Sequence, residues 1–69
     1  MRIRVDWTSY HVEGDELTGA EILGIAGKDP RKHALIMRFR GGSCRVELDE
    51  KVQLTEVIDR FQTIPREIG

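Results

Sequence analysis

The sequence is poor in several features on which enzymes and secreted modules rely. Cysteine occurs once, at Cys44, so no intrachain disulfide can form, and a reducing, cytoplasmic setting is expected. Histidine occurs twice. Neither His11 nor His33 has a cysteine or a second histidine at metal-ligand spacing, and both read as surface residues. A glycine-rich phosphate loop is missing, because Gly24 and Gly27 fall in and after an expected helix rather than at a strand-to-helix turn. No apolar run is long enough to cross a membrane. Met1 to Asp6 alternates charged and apolar residues, where a signal peptide would carry a continuous apolar stretch. Neither sign of charge dominates: 11 basic and 12 acidic residues leave a formal charge of -1, which removes the global signature of a nucleic-acid binder. Length is also in short supply. A chain of 69 residues builds one small core and has little left to enclose a deep cleft. The expectation is a single domain that binds through its surface and is not itself an enzyme.

What is present reads as an α+β chain. Ile3, Val5 and Trp7 alternate with Arg2, Arg4 and Asp6, as in a half-buried strand with a charged outer face. Thr8-Ser9 is the expected turn into a second strand carrying Tyr10 and Val12, and Gly14-Asp15 closes the hairpin. Thr18 caps a helix, with Glu21 completing a capping box and Leu17 and Ile22 placed as a hydrophobic staple. The helix runs from about Gly19 to Ala26 and ends at Gly27, a left-handed C-cap position. Gly24 is the place where the helix is expected to approach the sheet closely. Lys28 to His33 forms a polar loop. Leu35, Met37 and Phe39 then line the inner face of a strand, and Gly41-Gly42 signals a hairpin. Cys44, Val46 and Leu48 follow as inward residues, which makes Cys44 a small core residue. Val52, Leu54, Val57 and Ile58 cover one end of the core. Phe61, Thr63 and Ile64 form a last strand, expected beside the first in the middle of the sheet.

Two features remain for function. The acidic pairs Asp15/Glu16 and Asp49/Glu50 sit in solvated turns and point to no active site. By contrast, Arg2, Arg4, Arg38, Arg40 and Arg45 fall on the predicted outer face of the sheet, interrupted by Asp6 and Glu47. Guanidinium groups pair bidentately with carboxylates, so this face is a candidate docking surface for an acidic partner. The aromatics Trp7, Phe39 and Phe61 alternate with the inward set. They offer no exposed stacking platform, which counts against an RNA-binding sheet. The second feature is the segment after the last strand. Pro65 lacks an N–H and favours extended geometry at Ile64, so the strand should end there. The domain is therefore expected over 1–64 and a flexible C-terminal tail over 65–69, with Pro65, Arg66, Glu67 and Ile68 leading to Gly69.

These residues carry a family likeness. Leu17-Thr18-Gly19-Ala20-Glu21-Ile22-Leu23 running to Ala26-Gly27, the paired strands, and Phe61-Gln62-Thr63-Ile64-Pro65 resemble a ubiquitin-like domain. Within that superfamily the chain is most similar to bacterial modifiers of the multiubiquitin type. The likeness covers nearly the whole chain. It implies a β-grasp, a mixed four- to five-stranded sheet packed on one central helix.

The resemblance also implies a role. Gly69 would be the conjugation residue, with Pro65, Arg66, Glu67 and Ile68 recognised as the tail. The protein would be a carried substrate with no cofactor of its own. ATP and magnesium would be used by a partner activating enzyme, and a conjugating enzyme would pass the protein through thioesters to lysines on targets. Proteins of this class are associated with antiphage defence. Glycine suits the end of such a tail, because without a Cβ it threads a narrow channel and leaves its carboxylate unhindered. Eukaryotic ubiquitin ends in two glycines, whereas here Ile68 precedes Gly69. Two other readings on the same fold stay open: a non-covalent interaction module, and a sulfur carrier, which usually has the double glycine.

Overall fold

The computed structural model describes residues 1–66. In chain order the elements are β1 (Arg2–Val5), β2 (Thr8–His11), β3 (Glu16–Thr18), α1 (Gly19–Ile25), β4 (His33–Phe39), β5 (Gly42–Val46), β6 (Lys51–Gln53) and β7 (Arg60–Pro65). A five-stranded sheet has the order β2-β1-β7-β4-β5, and β3 and β6 form a separate two-stranded sheet. As expected from the sequence, β7 lies in the middle. It is parallel to β1 and antiparallel to β4. This mixed sheet with one helix across it is a β-grasp.

Alternation in the strands sends Ile3, Val5, Leu35, Val46 and Phe61 to one face, where they meet Ile22 and Leu23 of α1. Both helix residues are completely buried. Each such side chain contributes roughly 1.5–3 kcal/mol by leaving water. Val52 and Leu54 close one end, as expected.

The helix is bounded by the signals its sequence carries. The Thr18 hydroxyl accepts from the Glu21 N–H at 3.2 Å, and the Glu21 carboxylate accepts from the Thr18 N–H at 2.9 Å. At the other end Gly27 adopts φ 71°. Its N–H donates to Gly24, and the Lys28 N–H donates to Leu23, the two bonds of a Schellman motif.

Several expectations are corrected. The first hairpin turns at Asp6-Trp7 rather than Thr8-Ser9, because Asp6 takes φ 56° and Val5 pairs with Thr8. Trp7 is thereby lifted out of the alternation and is 93% exposed. The second hairpin turns at Arg40-Gly41, with Gly41 at φ 96° and Gly42 already in β5. Cys44 is exposed, and so is Phe39. A helix of seven residues is only about 10 Å long. It leaves this end of β4 and the facing Gly42–Arg45 part of the edge strand β5 uncovered, while Val46 is buried. Val57 is 74% exposed and does not cover the core. The short strands β3 and β6 are additional to the expected order.

The close approach occurs at Gly19, not Gly24. The Gly19 and Ala20 N–H groups donate to the carbonyls of Glu50 and Leu48, docking the 47–50 segment on the start of α1. A Cβ on Gly19 would collide with the Glu47 carbonyl oxygen, whereas one on Gly24 would meet nothing within 4 Å.

Candidate functional site

Residue Asp6 governs how the last strand is held. Main-chain bonds from the Arg4 N–H to Asp59 and from the Asp6 N–H to Phe61 form the parallel ladder between β1 and β7. The turn then carries the Asp6 carbonyl away from β7. Its carboxylate continues the ladder instead, accepting from the Thr63 N–H at 2.8 Å and the Thr63 hydroxyl at 2.7 Å.

Beyond Thr63 the strand continues one residue further than its sequence suggests. Pro65 is its last residue, opposite His33 of β4. A proline at a strand's end needs no ladder donor. Arg66 is then tied to the loop before β4. Its N–H donates to the Lys32 carbonyl at 2.8 Å, and its Nε donates to the carbonyls of His33 at 3.0 Å and Pro30 at 3.2 Å. That loop is itself organised by Asp29, whose carboxylate accepts from the Arg31 N–H. This bond, followed by those from the Arg31 side chain, holds the Asp29 carboxyl below its ordinary value of 3.8. Of the residues read as a recognised tail, Pro65 and Arg66 are therefore placed on the fold. Glu67, Ile68 and the conjugation residue Gly69 lie outside the described residues.

The arginines are only partly brought together. Register places Arg4 of β1 opposite Arg60 of β7, and Arg60 opposite Arg38 of β4. These three form one row across three adjacent strands of the outer face, and all are exposed. Arg38 donates to the Gln62 side chain at 2.9 Å. Among the described residues no carboxylate lies within ion-pair distance of any of the three. Arg2 lies further along β1 opposite His11, and Arg40 occupies the hairpin turn. Arg45 is opposite Ile36 on β5 and lies 3.9 Å from Glu47.

Two participants are additions to the sequence reading. Arg60 directly precedes inward Phe61, so strand parity alone would have turned it outward. Trp7 lines the same shallow hollow as Arg4, Arg38 and Arg60, and only the position of the turn puts it there. The second row of this face, Gln62, Ile36 and Arg45, is more mixed. Ile64 and Ala34 pair beside it, nearer Arg66. The face thus combines a basic row with an apolar corner. Among the described residues no three His, Cys, Asp or Glu side chains converge as metal ligands would.

Comparison with curated proteins and with solved structures gave no match. The Multiubiquitin family matches residues 1–66, nearly the whole chain and the full extent of the fold described above. With its β-grasp architecture, the chain belongs to the Multiubiquitin family of bacterial ubiquitin-like modifiers.

Proposed function

We propose that this protein is a conjugated modifier, activated at the carboxylate of Gly69 and transferred to amines on target proteins. Membership of the Multiubiquitin family is the observation that carries this reading. The anchoring of Arg66 agrees with it. A handle that must enter a partner's active site works best when the chain just before it is held in one direction, and Arg66 is held by three hydrogen bonds.

The chemistry belongs to the partners. In an activating enzyme the Gly69 carboxylate attacks the α-phosphorus of ATP, releasing pyrophosphate and forming an acyl-adenylate. A cysteine thiolate displaces AMP to give a thioester, which exchanges onto a conjugating enzyme's cysteine. A deprotonated lysine amine then displaces that thiolate, leaving an amide. Magnesium neutralises the phosphate charge in the first step. Nothing in this sequence requires the protein to supply nucleophile, base or nucleotide site. A cytoplasmic setting and a part in antiphage defence belong to the same proposal.

The test is an ATP-dependent thioester assay with the cognate activating enzyme. A thiol-sensitive adduct is expected with the 69-residue chain and none after deletion of Gly69, with the circular dichroism spectrum unchanged. Equal transfer from the shortened chain would overturn the proposal. A second reading, non-covalent binding through the sheet, is favoured by the arginine row and would yield no higher-mass conjugates in lysates.

A further inference from the structure

We infer that the row Arg4–Arg60–Arg38, with Trp7 at its side, is a docking site for a carboxylate-rich segment of a partner protein. The inference needs only the fold over 1–66. It stands apart from the chemistry at Gly69, so failure of either leaves the other in place.

The first argument is charge. Adjacent strands lie about 4.8 Å apart, so the register holds three guanidinium-bearing residues in consecutive lanes. Like charges directly opposite each other destabilise a sheet. The chain has 12 acidic residues, yet among the described residues none pairs with this row. Among the described residues the row thus offers three positive charges with only the neutral Gln62 side chain as a partner, on a protein with a formal charge of -1.

The second argument is Trp7. A tryptophan exposed this fully contributes nothing to the core. Together with the three arginines, Gln62 and part of Phe61 it lines one hollow, which Asp6 also borders with its carboxylate engaged by Thr63. Tryptophan and arginine are the side chains over-represented among residues that dominate binding at interfaces. An acidic segment with an apolar residue beside its carboxylates would use both.

The third argument separates carboxylates from nucleic acid. A stacking sheet presents aromatics on its strands. Here the central outward positions are Arg60, Gln62 and Ile36, the exposed ring that shares the hollow, Trp7, is on a turn, and Phe39 at the end of β4 alternates to the opposite face. The chain is also near neutral overall, and among the described residues the basic row is only three strands wide, short for a phosphate backbone to run along.

Trp7 is the sole tryptophan, so its emission reports directly on this hollow. The experiment titrates the 69-residue protein with a short glutamate-rich peptide carrying one leucine, and separately with single-stranded oligothymidylate. The expected result is saturable binding of the peptide, seen in Trp7 emission. Raising salt from about 0.05 to about 0.3 M should weaken it, because exposed charges are screened. Arg60→Gln should weaken it at least about fivefold, as loss of a charge-assisted bond does. It should also raise the free protein's urea midpoint, because a like-charge contact is relieved. The combined change Lys28→Gln, Lys32→Gln and Lys51→Gln removes three charges elsewhere and should weaken binding less than Arg60→Gln does. No peptide binding, an equal or greater loss from the lysine changes, or tighter binding of the oligonucleotide would overturn the inference. Circular dichroism of each variant ensures that a loss is read only from folded protein.

Discussion

The Asp6 carboxylate stands where a backbone carbonyl would continue the ladder, and it receives both the N–H and the hydroxyl of Thr63. One residue therefore turns the first hairpin and fastens the last strand. Asp6→Ala is expected to lower stability by about 2–3 kcal/mol, because it removes a charged acceptor and leaves partly buried donors unpaired. Thr63→Val keeps the N–H bond and should cost only about 1 kcal/mol. Asp6→Asn tolerates the left-handed backbone and keeps one acceptor, so it should fall between them. Urea unfolding followed by circular dichroism orders the three.

Two helix glycines should respond in opposite directions. Gly24→Ala places a methyl in open space and should stabilise the protein by up to about 1 kcal/mol through helix propensity. Gly19→Ala drives a methyl against the Glu47 carbonyl, so the 47–50 segment must move. The expected loss is about 1–3 kcal/mol. Midpoints that shift the same way for both would contradict the close approach at Gly19.

The capping box gives a pH prediction. The hydrogen bond from the Thr18 backbone holds the Glu21 carboxyl below its ordinary value of 4.5, with the Thr18 hydroxyl adding to it. A carboxyl depressed in the folded state contributes stability above its unfolded value. That contribution disappears as pH falls below about 4.5 and through the folded value. Glu21→Gln should therefore flatten the acid limb of a stability–pH curve. Asp29, depressed in the same direction, keeps the limb from vanishing. An unaltered acid limb in the variant would remove Glu21 from this account.

Cys44 lies exposed on the edge strand, opposite Met37. The folded protein should be labelled stoichiometrically by a thiol reagent without denaturant. Cys44→Ser should change stability by less than about 0.5 kcal/mol, as surface substitutions do. Labelling that required unfolding would return this residue to the core.

Much of the helix was legible because its determinants are local. Thr18 and Glu21 are three positions apart, and the Schellman bonds close within one turn of Gly27. Alternation likewise identified the inward Ile3, Val5, Leu35, Val46 and Phe61, because a strand's side chains must face opposite sides in turn. The same rule misplaced Trp7, since it holds only while the strand lasts, and Asp6 ends β1 by a backbone conformation with no strong sequence signature. It misplaced Cys44 for another reason: facing inward buries a residue only where something covers it.

By itself, then, the sequence determined the caps, the alternating faces and a family likeness strong enough to imply the β-grasp. Tertiary structure decided what depends on residues far apart in the chain. Register between β1, β7 and β4 gathered Arg4, Arg60 and Arg38, while leaving Arg2, Arg40 and Arg45 outside the row. The pairing of β3 with β6 and the docking of the 47–50 segment assigned Gly19 its role. Local hydrogen bonds can be read from spacing along the chain. Register and close approach are set by the packing of the whole core, which no short stretch of sequence specifies.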